Sequence, residues 1–271
     1  MFVLIALFIA CDELEIPNKR QFVVEAFITA DHPVSDIKIK EVSPLDAEVI
    51  EDIPIADAEV RLLTGESEVM LNYNPVTEKY FAPGNSFPIN VSDNYQLEIT
   101  VDEISAFGST LVPEHPTGLS LTDTVLIVPP LTLSLFLRAQ IQDLFREERS
   151  TLSWEARSGQ SYFVVIENKV DILDPILPSG IPEESTELLS SFRFISEPSE
   201  ENTFDIIAVA LETYGLHVAK VYAVNEEYVD LFNSATQDSR DLNEPPSNIT
   251  NALGIFSAFA VDSVVFEVKR E

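Results

Sequence analysis

The sequence predicts a mainly β protein made of two β-sandwiches in series, with a short helix docked near the C-terminus. Three observations predict it. From Gln21 onward, apolar residues recur at alternate positions in short runs separated by Gly, Pro, Asn and Asp. These runs fill two stretches, 21–112 and 124–271, each of a size that suits one sandwich. A clear helical stripe occurs only at 225–235. The chain has 271 residues, 45% of them hydrophobic, which is enough to bury a core in each half.

The first element is not a strand. Met1 to Ala10 reads MFVLIALFIA, an uninterrupted apolar run that ends at Cys11, the sole cysteine. As a helix this run spans only about 15 Å, half of a hydrocarbon core. Its length is that of the apolar region of a signal peptide, with the small Ala10 just before the expected cleavage point. Phe8-Ile9-Ala10-Cys11 resembles the lipobox of bacterial lipoproteins. That resemblance implies a signal peptide over 1–10, lipidation of Cys11 and a tether over 11–20. Phe8 stands where Leu is usual, and no Lys or Arg precedes the apolar run. Asp12, Glu13 and Glu15 follow the cysteine and resemble the surface-export signal of Bacteroidota lipoproteins. The acyl chains would bury dozens of methylenes at about 0.8 kcal/mol each, an anchor that needs no basic patch.

Strands come next. Phe22 to Ile28 is β-rich and is ended by Asp31-His32-Pro33; Ala58 to Leu63 alternates and is followed by Gly65. Tyr80, the turn at Pro83-Gly84-Asn85 and the alternating Tyr95 to Val101 continue the rhythm. The order Ala58-x-Val60-x-Leu62, Tyr80, Tyr95-x-Leu97-x-Ile99 resembles prealbumin-like sandwich modules. Pro113 to Asp123 reads as a connector, and Leu131 to Arg149 as a strand followed by a short helix. Leu152-Ser153-Trp154 and then Ser161 to Glu167 look like the B and C strands of a fibronectin-III-like sandwich, with the lone Trp in the core. Residues 174–198, rich in Pro, Ser and Glu, read as an inserted loop. Strands resume at Phe204 to Ala210 and His217 to Val224. Asn225 is placed to cap a helix, Glu226 and Glu227 suit its first turn, and Tyr228, Leu231, Phe232 and Ala235 form a stripe for docking.

The C-terminal segment, from Pro245 to Phe259, is the most distinctive inside the chain. Within it Pro246, Ser247, Asn248, Ile249, Asn251, Leu253, Gly254 and Phe256 form a pattern. Together with the lipobox-like start and the FVVEAFIT strand, it resembles a Bacteroidota outer-membrane lipoprotein family known as domain of unknown function 4249. Ala252 and Ser257 stand where that family commonly has Gly. In physical terms the segment reads as a Pro-stiffened turn whose Asn side chains bond nearby backbone. Gly254 suits a positive φ or a close backbone approach, and a last strand over Asp262 to Val268 closes the sheet. The segment holds no titratable group, so its role reads as structural.

Composition removes whole function classes. The 46 acidic and 16 basic residues give a net charge of −30, which repels phosphate backbones and anionic head groups. Nucleic-acid binding is therefore not expected; the acidity suits a soluble, exported surface. One cysteine permits neither an intrachain disulfide nor a cysteine zinc cluster. His32, His115 and His217 are scattered singly and read as ordinary surface or turn residues. No calcium loop, nucleophile elbow, metalloprotease helix, phosphate loop or dinucleotide fingerprint occurs. The expectation is a non-enzymatic protein with no metal and no cofactor, lipid-anchored at the outer membrane and exposed at the cell surface. The family resemblance implies a partner, a TonB-dependent receptor, which the chain would serve as an accessory or ligand-binding component. An adhesion or scaffold lipoprotein is the alternative, and a carboxylate-dependent hydrolase a remoter one, since 46 acidic residues guarantee chance pairs.

Overall fold

Alternating burial builds the sheets. The computed structural model describes residues 21–42, 52–84, 87–169, 174–177, 180, 195–235 and 246–271. Its first half holds β1 (Phe22–Thr29), β2 (Asp36–Glu41), β3 (Glu59–Thr64), β4 (Ser67–Met70), β5 (Asn72–Asn74), β6 (Lys79–Phe81), β7 (Asn94–Val101) and β8 (Ile104–Leu111). The second half holds β9 (Thr117–Leu121), β10 (Val125–Val128), helix α1 (Leu137–Glu147), β11 (Arg149–Glu155), β12 (Ser161–Asn168), β13 (Thr203–Ile207) and β14 (Gly215–Val224). Helix α2 (Glu226–Ala235), β15 (Ile249–Thr250) and β16 (Leu253–Arg270) complete it. The architecture is mainly β, built as sandwiches, with a short helix near the C-terminus.

One eight-stranded sheet runs through both halves in the order β12-β14-β16-β1-β2-β6-β5, with β10 beside the end of β16. Its spine is β16, 18 residues long. The first part of β16 pairs parallel with β1, from Val23 opposite Leu253 to Thr29 opposite Phe259. From Phe259 onward it pairs antiparallel with β14. Phe256, Ala258 and Ala260 enter one core, while Phe266 and Val268 enter the other. These positions share one parity, so both cores lie on the same side of the shared sheet. The first core is closed by the sheet β15-β8-β7-β3-β4, the second by β13-β11-β9.

Several strands differ from the sequence reading. The connector Pro113 to Asp123 contains β9, an edge strand whose Gly118, at φ +68°, breaks the alternation that would have revealed it. The helix within 131–149 begins at Leu137, and the strand before it ends at Val128. Ala208 to Ala210 forms a 3-10 turn and not the end of a strand. The last strand starts at Leu253, nine positions before Asp262. The first core accordingly takes Ile249, Phe256, Ala258 and Ala260 from the far end of the chain, beyond the stretch 21–112. Trp154 lies in the second core, edge-on to Tyr162 at 5.7 Å.

The histidines take different places. His32 hydrogen-bonds its own turn through Ala30 O. His217 departs from the surface reading: it is 2% exposed, stacked on Phe266 at 5.3 Å, with Nδ1 bonded to Gly215 O at 3.0 Å. Burial pushes its pKa down, and the hydrogen bond opposes that shift. His115 sits on the segment between the sandwiches, with Nδ1 3.0 Å from Val261 O and Nε2 3.0 Å from Asp31 Oδ2.

Candidate functional site

The C-terminal pattern folds into a corner that joins the shared sheet to the front sheet of the first sandwich. Asn248 is its staple. Its Oδ1 accepts from Phe256 N at 2.8 Å, and its Nδ2 donates to Phe256 O at 2.7 Å. One side chain thus stands in for a paired strand along the open side of β16. Nδ2 also reaches Ser109 O of β8 at 3.4 Å. Ser247 Oγ accepts from Ile249 N at 3.3 Å, and half-buried Pro246 leads into the corner. Ile249 is buried opposite Gly108, where any Cβ would stand 2.6 Å from its Cδ1. Asn251 turns the chain at φ +66° and donates from Nδ2 to Ser105 O at 3.0 Å. Gly254 follows at φ +113°, so close to β1 that a Cβ would lie 2.0 Å from Val24 O. Phe256 is fully buried, whereas Leu253 stays at the surface.

A cleft of about 610 Å³ opens beside this corner, lined by Gln21, Glu103, Ser105, Phe107, Asn251 and Leu253 among others. Phe107 and Leu253 give it exposed apolar surface, and Glu103 is its carboxylate. Asn251 and Leu253 belong to the C-terminal pattern, read from the sequence as structural, while Glu103 and Phe107 arrive from the β7–β8 hairpin, which carried no motif. Cys11, Asp12, Glu13 and Glu15 lie outside the described residues.

The seam between the sandwiches is packed from behind by aromatic rings. Phe27 of β1, Phe163 of β12 and Phe259 of β16 meet Tyr228 of α2, and Tyr222 of β14 joins through Phe163 and Phe259, with centroid separations from 4.8 Å for Phe163–Tyr222 to 6.3 Å for Tyr222–Phe259. The helix is also tied to β8. The Asn225 side-chain amide donates to Thr110 Oγ1 at 3.0 Å and to Leu111 O at 2.5 Å, and Thr110 Oγ1 donates to Glu227 at 2.7 Å. Asn225 O accepts from Tyr228 N at 3.1 Å, which starts the helix.

Chemically, the cleft offers amides, a hydroxyl and one carboxylate beside apolar surface. No group of three or more His, Cys, Asp or Glu suited to a metal ion occurs among the described residues. Nor is any described helix long and apolar enough to cross a membrane. The pKa shifts arise from structural ion pairs and from burial. Salt-bridged Lys169 and Lys220 hold the Glu167 carboxyl below its ordinary range, and burial pushes the Tyr80 hydroxyl up to about 12 while it donates to Ile55 O at 2.7 Å.

A family model described as a domain of unknown function (DUF4249) matches residues 11–264. The chain belongs to this DUF4249 family. The match takes in the corner, the cleft and the aromatic seam of this DUF4249 protein, and it starts at Cys11. No curated protein matches the chain. Among solved structures it is similar to a two-domain fibronectin type-III segment of chicken tenascin. The identity is 10%, over 92% of this chain and 98% of that one, with a TM-score of 0.25. It is also similar to domains A168-A170 of titin, at 8% identity over 92% and 67%, with a TM-score of 0.22. At these scores neither carries the argument; the sandwich assignment rests on the sheets and cores above.

Proposed function

We propose that this DUF4249 protein is a lipid-anchored, non-enzymatic protein of the outer-membrane surface that serves a TonB-dependent uptake system as an accessory or ligand-binding component. The observation that carries the reading is Cys11. It is the only cysteine, it ends the only N-terminal apolar run, and the family match begins at it. An apolar run that stays outside the family's shared region is what a removed signal peptide leaves. Asp12, Glu13 and Glu15 support export to the outer face, and the net charge of −30 suits a body held off the membrane by a lipid and not by charge. The receptor association rests on the likeness to Bacteroidota lipoproteins. Two sandwiches locked by one strand support a presenting or docking role, since their relative orientation is built into a sheet.

The test has two arms. Cys11→Ser should end labelling of the chain with radioactive palmitate; undiminished labelling sinks the anchor. Mild solubilisation of outer membranes should recover the wild-type chain with a TonB-dependent receptor. Recovery of the chain alone removes the uptake reading and leaves adhesion or scaffolding in its place.

A further inference from the structure

We propose that residues 132–136, which join β10 to α1, form a lipid-contacting tip that dips into a bilayer surface. The fold does not account for these side chains. Thr132, Leu133, Ser134, Leu135 and Phe136 are consecutive and all exposed, with Leu135 at 100% and Phe136 at 71%. Leu131 and Leu137 on either side are buried and pin the loop to the second core, so the tip projects from a fixed base. Three large apolar side chains within four positions of a soluble surface mark an interaction site and not a scatter of single residues. Exposed Val125, Ile127 and Leu216 lie at the same end of the sheet, flanking the Lys269–Glu267 ion pair of β16.

Shape, chemistry and place favour a lipid surface over a protein pocket. The tip is exposed along its whole length and offers little directional bonding: Ser134 Oγ already accepts from Phe136 N at 3.2 Å. Apolar groups without directional partners suit a fluid apolar medium, whereas a protein site would be expected to engage placed polar groups as well. Charge points the same way. From residue 124 to 142 the chain has no carboxylate and a single charge, Arg138, in a molecule whose net charge is −30. The carboxylates nearest along the paired strand and its ion pairs, Glu267 and Asp174, are bound to Lys269 and Arg270, so the loop leads with little unbalanced negative charge. Place completes the argument. β10 runs parallel to β16, with Val128 opposite Arg270, so the loop leaves at the far end of the spine. Val23 lies opposite Leu253 at the other end, about 55 Å away at roughly 3.3 Å per residue. An extremity can touch a flat surface with the sheet inclined to it, as an anchor leading into the opposite end of the spine requires.

The inference does not depend on the anchor at Cys11. Trp154, the only Trp, is buried in the second core, so an introduced tip Trp stands against a shielded background. The full chain carrying Phe136→Trp is reconstituted into phosphatidylcholine vesicles, with and without dibrominated phosphatidylcholine; Phe107→Trp, exposed in the opposite half, is the control. We expect Phe136→Trp emission to shift blue and to be quenched several-fold more strongly than Phe107→Trp emission. Equal quenching at both positions overturns the proposal, and so does an unquenched, red-shifted Phe136→Trp, the result a protein-docking tip would give. Unchanged circular dichroism establishes that both variants are folded. Palmitate labelling of the Cys11→Ser chain reports the anchor separately.

Discussion

Gly254 shows how little freedom a single position can have. Its φ of +113° is costly for any L side chain, and a Cβ would stand 2.0 Å from Val24 O on the paired strand. The obstacle is backbone inside a parallel ladder, so relief requires β1 and β16 to separate. Gly254→Ala is expected to cost about 4 kcal/mol or more in urea denaturation, among the largest single-residue effects. Gly159 is the contrast: its φ is +73° with open space around it, and Gly159→Ala should cost only about 1 kcal/mol. Similar losses for the two would mean that close approach is not the reason for Gly254. His217 sets a pH dependence at the same scale. Its folded pKa is depressed by burial, so the unfolded state binds the proton first as pH falls. Its contribution is therefore complete above the unfolded value of about 6.5 and is lost as pH falls through the lower folded value. Protonating many carboxylates relieves self-repulsion and changes stability too, so the measurement is the difference between wild type and His217→Leu. That difference should move against the wild type between pH 7 and 5; a constant difference would refute the assignment.

Among the elements, α2 is the one whose removal should be felt in both sandwiches. Tyr228 stacks on Phe163 at 5.6 Å and meets Phe259 edge-on at 5.0 Å and Phe27 at 6.1 Å. Being half-buried, it loses less on truncation than a core ring, and Tyr228→Ala should cost about 2 kcal/mol. Hydrogen exchange should then quicken in β1 and β12 together; a change confined to α2 would show that the helix only decorates the seam. This helix was legible in the sequence because its stripe and acidic first turn agree. So were β1, β3 and β7, each with alternating apolar residues over a run. The destination of the Asn225 amide was not legible, because a side chain at a helix start can also reach a distant strand, here Thr110 and Leu111 of β8. Nor was the true length of β16. Gly254, Ser257, Ala258 and Ala260 are small residues that blur the period-two pattern until Val264, although Ser257 and Ala258 are fully buried. The C-terminal pattern singled out Asn251 and Leu253 as structural residues; the cleft beside them was not legible, because Glu103 and Phe107 depend on which hairpin lies opposite. Alternation shows that a strand exists but does not name its partner.

On the scale of the whole molecule, that silence about partners hid the main feature, the pairing of β1 with a strand some 230 positions away. A chain of this size with two cores would ordinarily be expected to melt in two steps. Here the same strand supplies Phe256, Ala258 and Ala260 to one core and Phe266 and Val268 to the other. Unfolding the second core would free the end of β16, expose the aromatic seam and remove the support on which β1 is paired. His115 adds to the coupling, since it spans from the connecting segment to Val261 O and Asp31. One cooperative transition is therefore expected, with equal calorimetric and van't Hoff enthalpies. Phe266→Ala provides the sharper check. It empties part of the second core only, at a cost of about 3–5 kcal/mol, or roughly a 10 °C fall in melting temperature. Trp154 fluorescence reports the second core directly, and exchange of the β7 amides reports the first. Both should shift by the same amount if the shared strand couples the cores. If Trp154 changes at the lower temperature while β7 keeps its original protection, the sandwiches unfold independently and β16 is a shared boundary without thermodynamic consequence.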